Sequence, residues 1–105
     1  MARAEAVVEQ YLNQQIQKLG GTTRKWVSPG HDGVPDRICI IPVEYAMGVR
    51  AHIWFIEVKT LKGKLSTRQR REIDELGRLG CSTSIVYGKE GVDSFITALV
   101  GHLNA

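Results

Sequence analysis

The segment that most constrains the fold is residues 52–59, HIWFIEVK. Its aromatic and β-branched side chains are typical of a β-strand. Successive side chains in a strand point to opposite faces, so Phe55, Glu57 and Lys59 share one face. Both faces begin with apolar residues, which predicts a central strand buried on both sides. A carboxylate and an ammonium then follow on one face, roughly 7 Å apart. Three explanations are open: the two charges form a mutual ion pair, the strand emerges into solvent at this end, or the two residues belong to a functional site.

The flanking segments predict three helices and three more strands. Apolar residues at helical spacing predict helices over 4–19, 67–79 and 92–103. Strands are predicted over 23–28, 36–41 and 81–87, with a turn region at 43–51 around Met47-Gly48. Strands joined by turns favour antiparallel pairing, whereas a strand–helix–strand step favours a parallel crossover. The sequence therefore predicts an α/β fold, with a central mixed β-sheet of about four strands flanked by helices in the order α-β-β-β-α-β-α.

Length and composition exclude several classes of protein. The 105 residues fit one domain over 1–105, and an apolar fraction of 43% is enough for a core. No apolar run approaches the roughly 18 residues of a membrane helix, and the N-terminus lacks the apolar stretch of a signal peptide. Cys39 and Cys81 do not make a disulfide framework and are predicted to be buried thiols. We expect a cytoplasmic protein with no membrane partner.

Positive charge is concentrated directly after the predicted central strand. Residues 59–71 contain six basic residues and no acidic one, although the whole chain carries a net charge of only +3. Such a cluster is typical of contacts with the phosphate backbone of nucleic acids. The alternative is a solvated basic surface with no partner.

A second carboxylate is expected near Glu57. Asp36 opens a strand directly after Gly33-Val34-Pro35, whose glycine and proline shape a tight entry. If strands 36–41 and 52–59 are antiparallel neighbours, Asp36 lies across from Glu57 or Lys59. Two carboxylates at that distance repel each other, and a divalent cation between them removes the cost. Hard oxygen ligands suit Mg²⁺ or Mn²⁺, while the lysine is suited to a phosphate oxygen or an attacking water.

An aspartate followed by Glu-x-Lys on an adjacent strand is the pattern of the PD-(D/E)xK nucleases. Either motif alone is a weak signal. Here SPGHDGVPDR is followed by EVK 21 residues after Asp36, and then by Gln69 in a helix after a basic loop. This combination resembles the virus-type replication-repair nuclease (VRR-NUC) family, most closely its small stand-alone phage and prophage members. The resemblance covers most of the chain and implies a restriction-endonuclease-like core.

The resemblance also implies roles for individual residues. Asp36 and Glu57 resemble the family's metal ligands for Mg²⁺ or Mn²⁺, joined by the backbone carbonyl of Val58. Lys59 resembles its catalytic lysine. Gln69 matches a glutamine on the helix beside the site, and it also stands three residues after Ser66, as a helix-capping box requires.

The N-terminal helix of such nucleases brings a glutamate towards the metal. Glu9 is the preferred candidate, because it borders the apolar stripe of the helix. Glu5 is the alternative, although a carboxylate in the first turn also favours the helix dipole.

The remaining candidates concern DNA. The basic residues expected to hold its backbone are Lys62, Lys64, Arg68, Arg70 and Arg71, with Ser28 and Arg37 beside them. Ser28 is equally suited to forming a turn. His31 is a candidate for phosphate contact or proton transfer, with an exposed loop histidine as the alternative.

The resemblance implies a metal-dependent endodeoxyribonuclease that resolves four-way (Holliday) junctions as a homodimer, in the cytoplasm of a bacterial or phage-infected cell. Two subunits would supply the two symmetric cuts that such a junction requires. The alternatives are a nuclease without branch preference and a non-catalytic DNA-binding module of the same fold.

Overall fold

The computed structural model describes the backbone of residues 2–103 and the side chains of residues 4–103. The elements are α1 (Ala2–Lys18), β1 (Thr22–Lys25), β2 (Arg37–Tyr45), β3 (Gly48–Lys59), α2 (Thr67–Arg78), β4 (Ser82–Tyr87) and α3 (Gly88–Leu103). This confirms the predicted order α-β-β-β-α-β-α. No helix of this described part is long and apolar enough to cross a bilayer.

The four strands form one mixed sheet in the order β1-β2-β3-β4. The pairs β1–β2 and β2–β3 are antiparallel, and β3 pairs in parallel with β4. Helix α2 connects the two parallel strands, as a crossover must. The predicted α/β fold is confirmed, and β3 occupies an interior position in the sheet.

The predicted turn region at 43–51 is wrong, because β2 and β3 form one long hairpin. The two strands pair from Arg37↔Ile56 to Tyr45↔Gly48, which leaves a two-residue turn beside the predicted Met47-Gly48. Pro42 had indicated the end of the strand. It lies beyond Ile40, the last residue of β2 that pairs with β1, so its missing N–H deprives no neighbouring strand of a hydrogen bond.

One face of the sheet is covered by α1 and α3. The apolar stripe predicted for the first helix is buried there as Val8, Leu12 and Ile16. Ile56 and Val58 of β3 are fully buried in the same cluster, together with Val86, Val92, Phe95 and Leu99. Burying a side chain of this size stabilises the fold by about 1.5–3 kcal/mol. This cluster therefore anchors the end of β3 that carries Glu57 and Lys59.

The opposite face is covered less evenly. Ile53, near the middle of β3, is 44% exposed, so the prediction of a strand buried on both faces is wrong there. Phe55 packs on Trp26, with ring centroids 5.2 Å apart. The last four residues of β3 are all buried. The end of the strand that carries Glu57 and Lys59 is thus enclosed, whereas residues 48–51 at its other end are exposed.

Candidate active site

Asp36 and Glu57 lie opposite one another on one face of the sheet. Arg37 pairs with Ile56 in the antiparallel ladder, so the preceding and following residues, Asp36 and Glu57, are cross-strand neighbours. This is the neighbour relationship that the sequence predicts. Repulsion from Asp36 is one cause of a raised pKa at Glu57.

Asp36 is fixed by the backbone of β3. Its Oδ2 accepts a hydrogen bond from the Val58 N–H at 2.9 Å. The N–H and the carbonyl of one strand residue point to the same side, so the Val58 carbonyl also faces the Asp36 side. The pairing of β2 with β3 begins at Arg37 and Ile56, so no residue of β2 lies across from Val58 to donate an N–H to this carbonyl. It is therefore placed as a third oxygen beside the two carboxylates.

Glu57 is the most enclosed charged group of the site, at 1% exposure. Its Oε2 accepts a hydrogen bond from Gln69 Nε2 at 3.0 Å and lies 3.4 Å from Lys59 Nζ. Its Oε1 is buried and has no hydrogen-bond partner among the described residues. Burial, and then the charge of Asp36, raise the pKa of Glu57 to about 7, while Lys59 opposes the rise. An unpaired oxygen on a buried carboxylate is a costly feature that calls for a ligand.

Lys59 is only 9% exposed, and its ammonium pairs with the carboxylate of Glu57. The turn that follows β3 packs on its stem: a Cβ added at Gly63 would lie 3.2 Å from Lys59 Cβ and 3.3 Å from its Cδ. A side chain at this position would press on the lysine stem, so the turn packs closely against it. The turn thereby restricts the lysine to the carboxylate side of the sheet.

Gln69 joins the start of α2 to Glu57. Ser66 Oγ accepts from the Gln69 N–H at 3.0 Å, and Gln69 Oε1 accepts from the Ser66 N–H at 2.9 Å, completing a capping box. Since the amide oxygen is used by the cap, the amide nitrogen is left to donate to Glu57. The two roles considered for Gln69 in the sequence are both present.

The oxygen atoms at this end of the sheet fit a small, hard divalent cation. Asp36, Glu57 and the Val58 carbonyl supply oxygens only, and Glu57 Oε1 is an orphaned buried acceptor. The described residues contain no group of three or more His, Cys, Asp or Glu side chains placed to hold a metal ion. Few protein carboxylates and several waters or substrate oxygens are the usual set for Mg²⁺.

Comparison with known proteins supplies the family. The family model of the VRR-NUC domain matches residues 3–90. The chain belongs to the VRR-NUC family. A protein of Acyrthosiphon pisum secondary endosymbiont phage 1, named "Putative nuclease p44", is 34% identical over 95 residues, covering 90% of this chain and 94% of its own.

Two solved structures share the fold. One, described as a VRR_NUC domain, superposes with a TM-score of 0.77 at 29% identity, covering 90% of this chain and 95% of that one. A second, a VRR_NUC domain protein, gives a TM-score of 0.61 at 18% identity over 90% of this chain and 85% of that one. The predicted VRR-NUC family and the predicted α/β fold are thus confirmed, and the chain carries a nuclease-family domain.

Glu9 does not join the two carboxylates in this VRR-NUC domain. Its Oε2 pairs with Arg37 Nε at 2.7 Å and lies 3.7 Å from Lys25 Nζ. Arg37 follows Asp36 in β2, so its side chain points to the opposite face, where α1 packs. The structure thus places Glu9 in an ion pair on the face opposite Asp36 and Glu57. This pair occupies the guanidinium of Arg37, which was predicted to hold DNA. Glu5, in the first turn of α1, takes part in no ion pair among the described residues.

The loop before Asp36 is tied to α2 by contacts that the sequence does not predict. His31 Nε2 lies 2.6 Å from Glu72 Oε1, and Arg68 Nη1 donates to Asp32 Oδ2 at 2.6 Å. The hydrogen bond to Glu72 raises the pKa of His31. Gly33, at φ +90°, lies under Arg68, where a Cβ would approach the Arg68 carbonyl oxygen to 2.9 Å. We call the loop residues 31–33 with their α2 partners the loop clamp.

The other predicted DNA contacts divide into two groups. Ser28 forms a turn, since its carbonyl accepts from the His31 N–H at 3.0 Å. Arg68 is taken up by the loop clamp, although it stays exposed. The residues that remain exposed near the end of β3 and the start of α2 are Lys62, Lys64, Arg70 and Arg71. Arg70 has only a 4.0 Å contact with Asp74. The basic surface therefore adjoins Lys59, as the charge pattern predicts.

Tyr87 is a residue at the site that the sequence reasoning missed. It is the parallel partner of Lys59 and therefore lies beside it on the same face. The neighbouring Val86 is fully buried in the core, whereas Tyr87 is 37% exposed. The sequence did predict that the crossover makes β3 and β4 parallel neighbours. That pairing could have identified Tyr87 as the neighbour of Lys59.

Proposed function

We propose that the protein is a Mg²⁺- or Mn²⁺-dependent endonuclease that hydrolyses phosphodiester bonds in DNA. The observation that carries the proposal is the pairing of Asp36 with Glu57 on one face of the sheet, with Glu57 Oε1 buried and unpartnered. Such a site is costly in the absence of a cation and is stabilised by one.

Asp36, Glu57 and the Val58 carbonyl are the groups that would hold the cation. A bound cation would lower the pKa of a water molecule and neutralise negative charge on the phosphate. The raised pKa of Glu57 means that the metal competes with a proton for this carboxylate near neutral pH. Gln69 keeps one oxygen of Glu57 engaged, so that the other faces the ligand.

Lys59 acts on the substrate in this mechanism. Its ammonium is fixed 3.4 Å from Glu57 Oε2 and is shielded from water, which strengthens its field on a neighbouring phosphate. It stabilises a non-bridging oxygen or orients the attacking water. The water oxygen loses a proton to solvent and bonds to phosphorus, the bond from phosphorus to the leaving oxygen breaks, and the leaving oxygen takes up a proton from solvent.

The proposed substrate is branched DNA, and the proposed assembly is a homodimer that resolves four-way junctions. Two subunits related by two-fold symmetry carry two active sites, as symmetric cuts across a junction need. The exposed basic residues contact phosphates and carry no sequence information by themselves, which favours selection by DNA shape.

A panel of end-labelled duplex, flap and four-way junction substrates, with Mg²⁺ and with Mn²⁺, tests the choice of substrate. We expect the junction to be cut at least tenfold faster than linear duplex. Equal or faster cutting of the duplex would reject the branch preference and leave a nuclease without it. Light scattering at working concentration tests the assembly, and a monomeric mass would contradict the homodimer.

The rival function is a DNA-binding module without catalysis. Calorimetric titration with Mn²⁺ separates the two, because the module has no reason to bind the ion at Asp36 and Glu57. We expect binding by the wild-type protein and its loss in Asp36→Asn. Absence of binding to the wild type would favour the module.

A further inference from the structure

A cleft beside Lys59 has the chemistry of a nucleotide-binding site. It has a volume of about 430 Å³ and lies between the turn after β3, the start of α2 and the end of β4. Lys64 and Arg70 supply positive charge, and Tyr87 supplies an aromatic ring. The volume lies in the range of small-molecule sites in proteins.

The register of the sheet connects this cleft to the candidate active site. Tyr87 pairs with Lys59, one residue beyond the Val58↔Val86 pair. Gly63, which also lines the cleft, packs on the stem of Lys59. The cleft therefore adjoins Lys59, within reach of a nucleotide next to a phosphate bound there.

The charges of the cleft are available to a ligand. Lys64 is exposed and takes part in no ion pair among the described residues. Arg70 has a single, 4.0 Å contact with Asp74, and both side chains are more than half exposed. Such exposed pairs at i,i+4 contribute little to stability and are readily exchanged for a phosphate.

We propose that Tyr87 stacks on an unpaired nucleobase next to the cleaved phosphate, while Lys64 and Arg70 hold the phosphate of that nucleotide. Aromatic rings stack on bases of any sequence, because every base has a π-face. The face of a base is free only at an end, a flap, a nick or a branch, or after flipping. This inference rests on the proposed nuclease function and gives it a means of selecting distorted DNA.

The test is a thermodynamic cycle between the tyrosine and the base. Single-stranded oligonucleotides of about 12 residues, labelled with fluorescein, are titrated in EDTA with wild-type protein, Tyr87→Ala and Tyr87→Phe. Each oligonucleotide is also made with one abasic nucleotide, stepped along the strand. Tyr87→Ala is expected to bind the intact strand about tenfold more weakly, as loss of one stacked base implies. Tyr87→Phe keeps the ring and is expected to bind like the wild type.

The decisive quantity is the coupling between the two changes. At one abasic position the loss caused by Tyr87→Ala is expected to disappear, because the ring then has no base to stack on. Equal losses with the intact strand and with every abasic strand would overturn the proposal. So would tenfold weaker binding by Tyr87→Phe, which would assign the effect to the hydroxyl.

The outcome is separable from the nuclease activity. A wild-type protein that binds with this coupling but cuts no DNA would overturn the proposed function and support the nucleotide site. A protein that cuts DNA while Tyr87→Ala shows wild-type affinity and rate would overturn only the nucleotide site. Lys64→Ala with Arg70→Ala serves as the charge control and is expected to weaken binding to intact and abasic strands alike.

Discussion

Gln69 donates its amide N–H to Glu57 Oε2 at 3.0 Å, while its amide oxygen closes the N-cap of α2 on Ser66. One side chain thus orients the buried carboxylate and fixes the start of the helix. The cap leaves the amide a single orientation, so Glu57 always meets a donor and never a second acceptor.

Separate variants distinguish the two roles of Gln69. Gln69→Ala removes the donor to Glu57 and the acceptor for the Ser66 N–H, which is one half of the capping box. We expect cleavage to slow about 10- to 100-fold, the usual effect of losing a group that orients a metal ligand. Ser66→Ala removes the other half of the capping box, the Oγ acceptor for the Gln69 N–H, and keeps the donor to Glu57, so it is the control for a weakened cap. It is expected to cost about 1 kcal/mol of stability and to leave the rate within about twofold. Equal rate losses in the two variants would show that the cap alone matters.

The stability of the metal-free protein is expected to depend on pH through Glu57. Burial and the charge of Asp36 raise its pKa to about 7 in the folded protein, against 4.5 for an unperturbed glutamate, so the folded state holds a proton that the unfolded state releases. The free energy of unfolding therefore falls as pH rises from about 4.5 to 7, by at most about 1.4 kcal/mol per pH unit.

Denaturation in EDTA between pH 5 and 8 measures this dependence, with Glu57→Gln as the control. His31, whose pKa is also raised, acts in the same direction, because its interaction with Glu72 is strongest when the imidazole is charged. The difference between the wild type and Glu57→Gln isolates the carboxylate. Parallel curves for the two proteins would contradict the assignment.

The loop clamp is expected to position Asp36. Gly33→Ala introduces a Cβ 2.9 Å from the Arg68 carbonyl oxygen at a φ of +90°, so both overlap and backbone strain arise. Gly30→Ala is the matched control, since Gly30 has φ +77° but nothing within 4 Å of an added Cβ.

We expect Gly30→Ala to cost about 1–2 kcal/mol from backbone strain alone. Gly33→Ala should cost about 1–3 kcal/mol more, the usual range for overpacking, and should also weaken Mn²⁺ binding. Thermal denaturation and calorimetry provide the two readouts. Unchanged Mn²⁺ affinity in a folded Gly33→Ala protein would show that the clamp supports the fold and not the site.

Glu9 is expected to stabilise the fold and not to bind the metal. Its largely buried pair with Arg37 predicts that Glu9→Ala lowers stability by about 1–3 kcal/mol, because Arg37 loses its partner. Mn²⁺ affinity should stay within about twofold in the folded variant. A tenfold loss of affinity would restore Glu9 to the role of metal ligand that the sequence favours.

The sequence was sufficient for the features that depend on local pattern. The strand ending in Glu57 and Lys59, and the capping box at Ser66 and Gln69, follow from residue type and spacing. The position of Asp36 across from Glu57 needed only the assumption that the two strands are antiparallel neighbours. The register of β2 against β3 is what brings Asp36 and Glu57 together in the structure.

The features that the sequence did not predict depend on distant contacts. The partner of Glu9 is decided by which face of β2 carries Arg37, and a shift of one residue would exchange Arg37 with Asp36. The loop clamp joins residues that are far apart in the sequence: Asp32 and Arg68 are separated by 36 positions, and His31 and Glu72 by 41. The hairpin was misjudged because Pro42 ends a strand only when a neighbour needs its N–H.

The most direct test of the account is cleavage of a labelled four-way junction by wild-type protein, Glu57→Ala and Lys59→Ala, with Mg²⁺ and with excess EDTA. We predict cutting by the wild type with Mg²⁺ only, and no cutting by either variant, although both stay folded by circular dichroism and still bind the junction. Full activity of Glu57→Ala, or wild-type cutting in EDTA, would contradict the assignment of Asp36 and Glu57 to a catalytic metal.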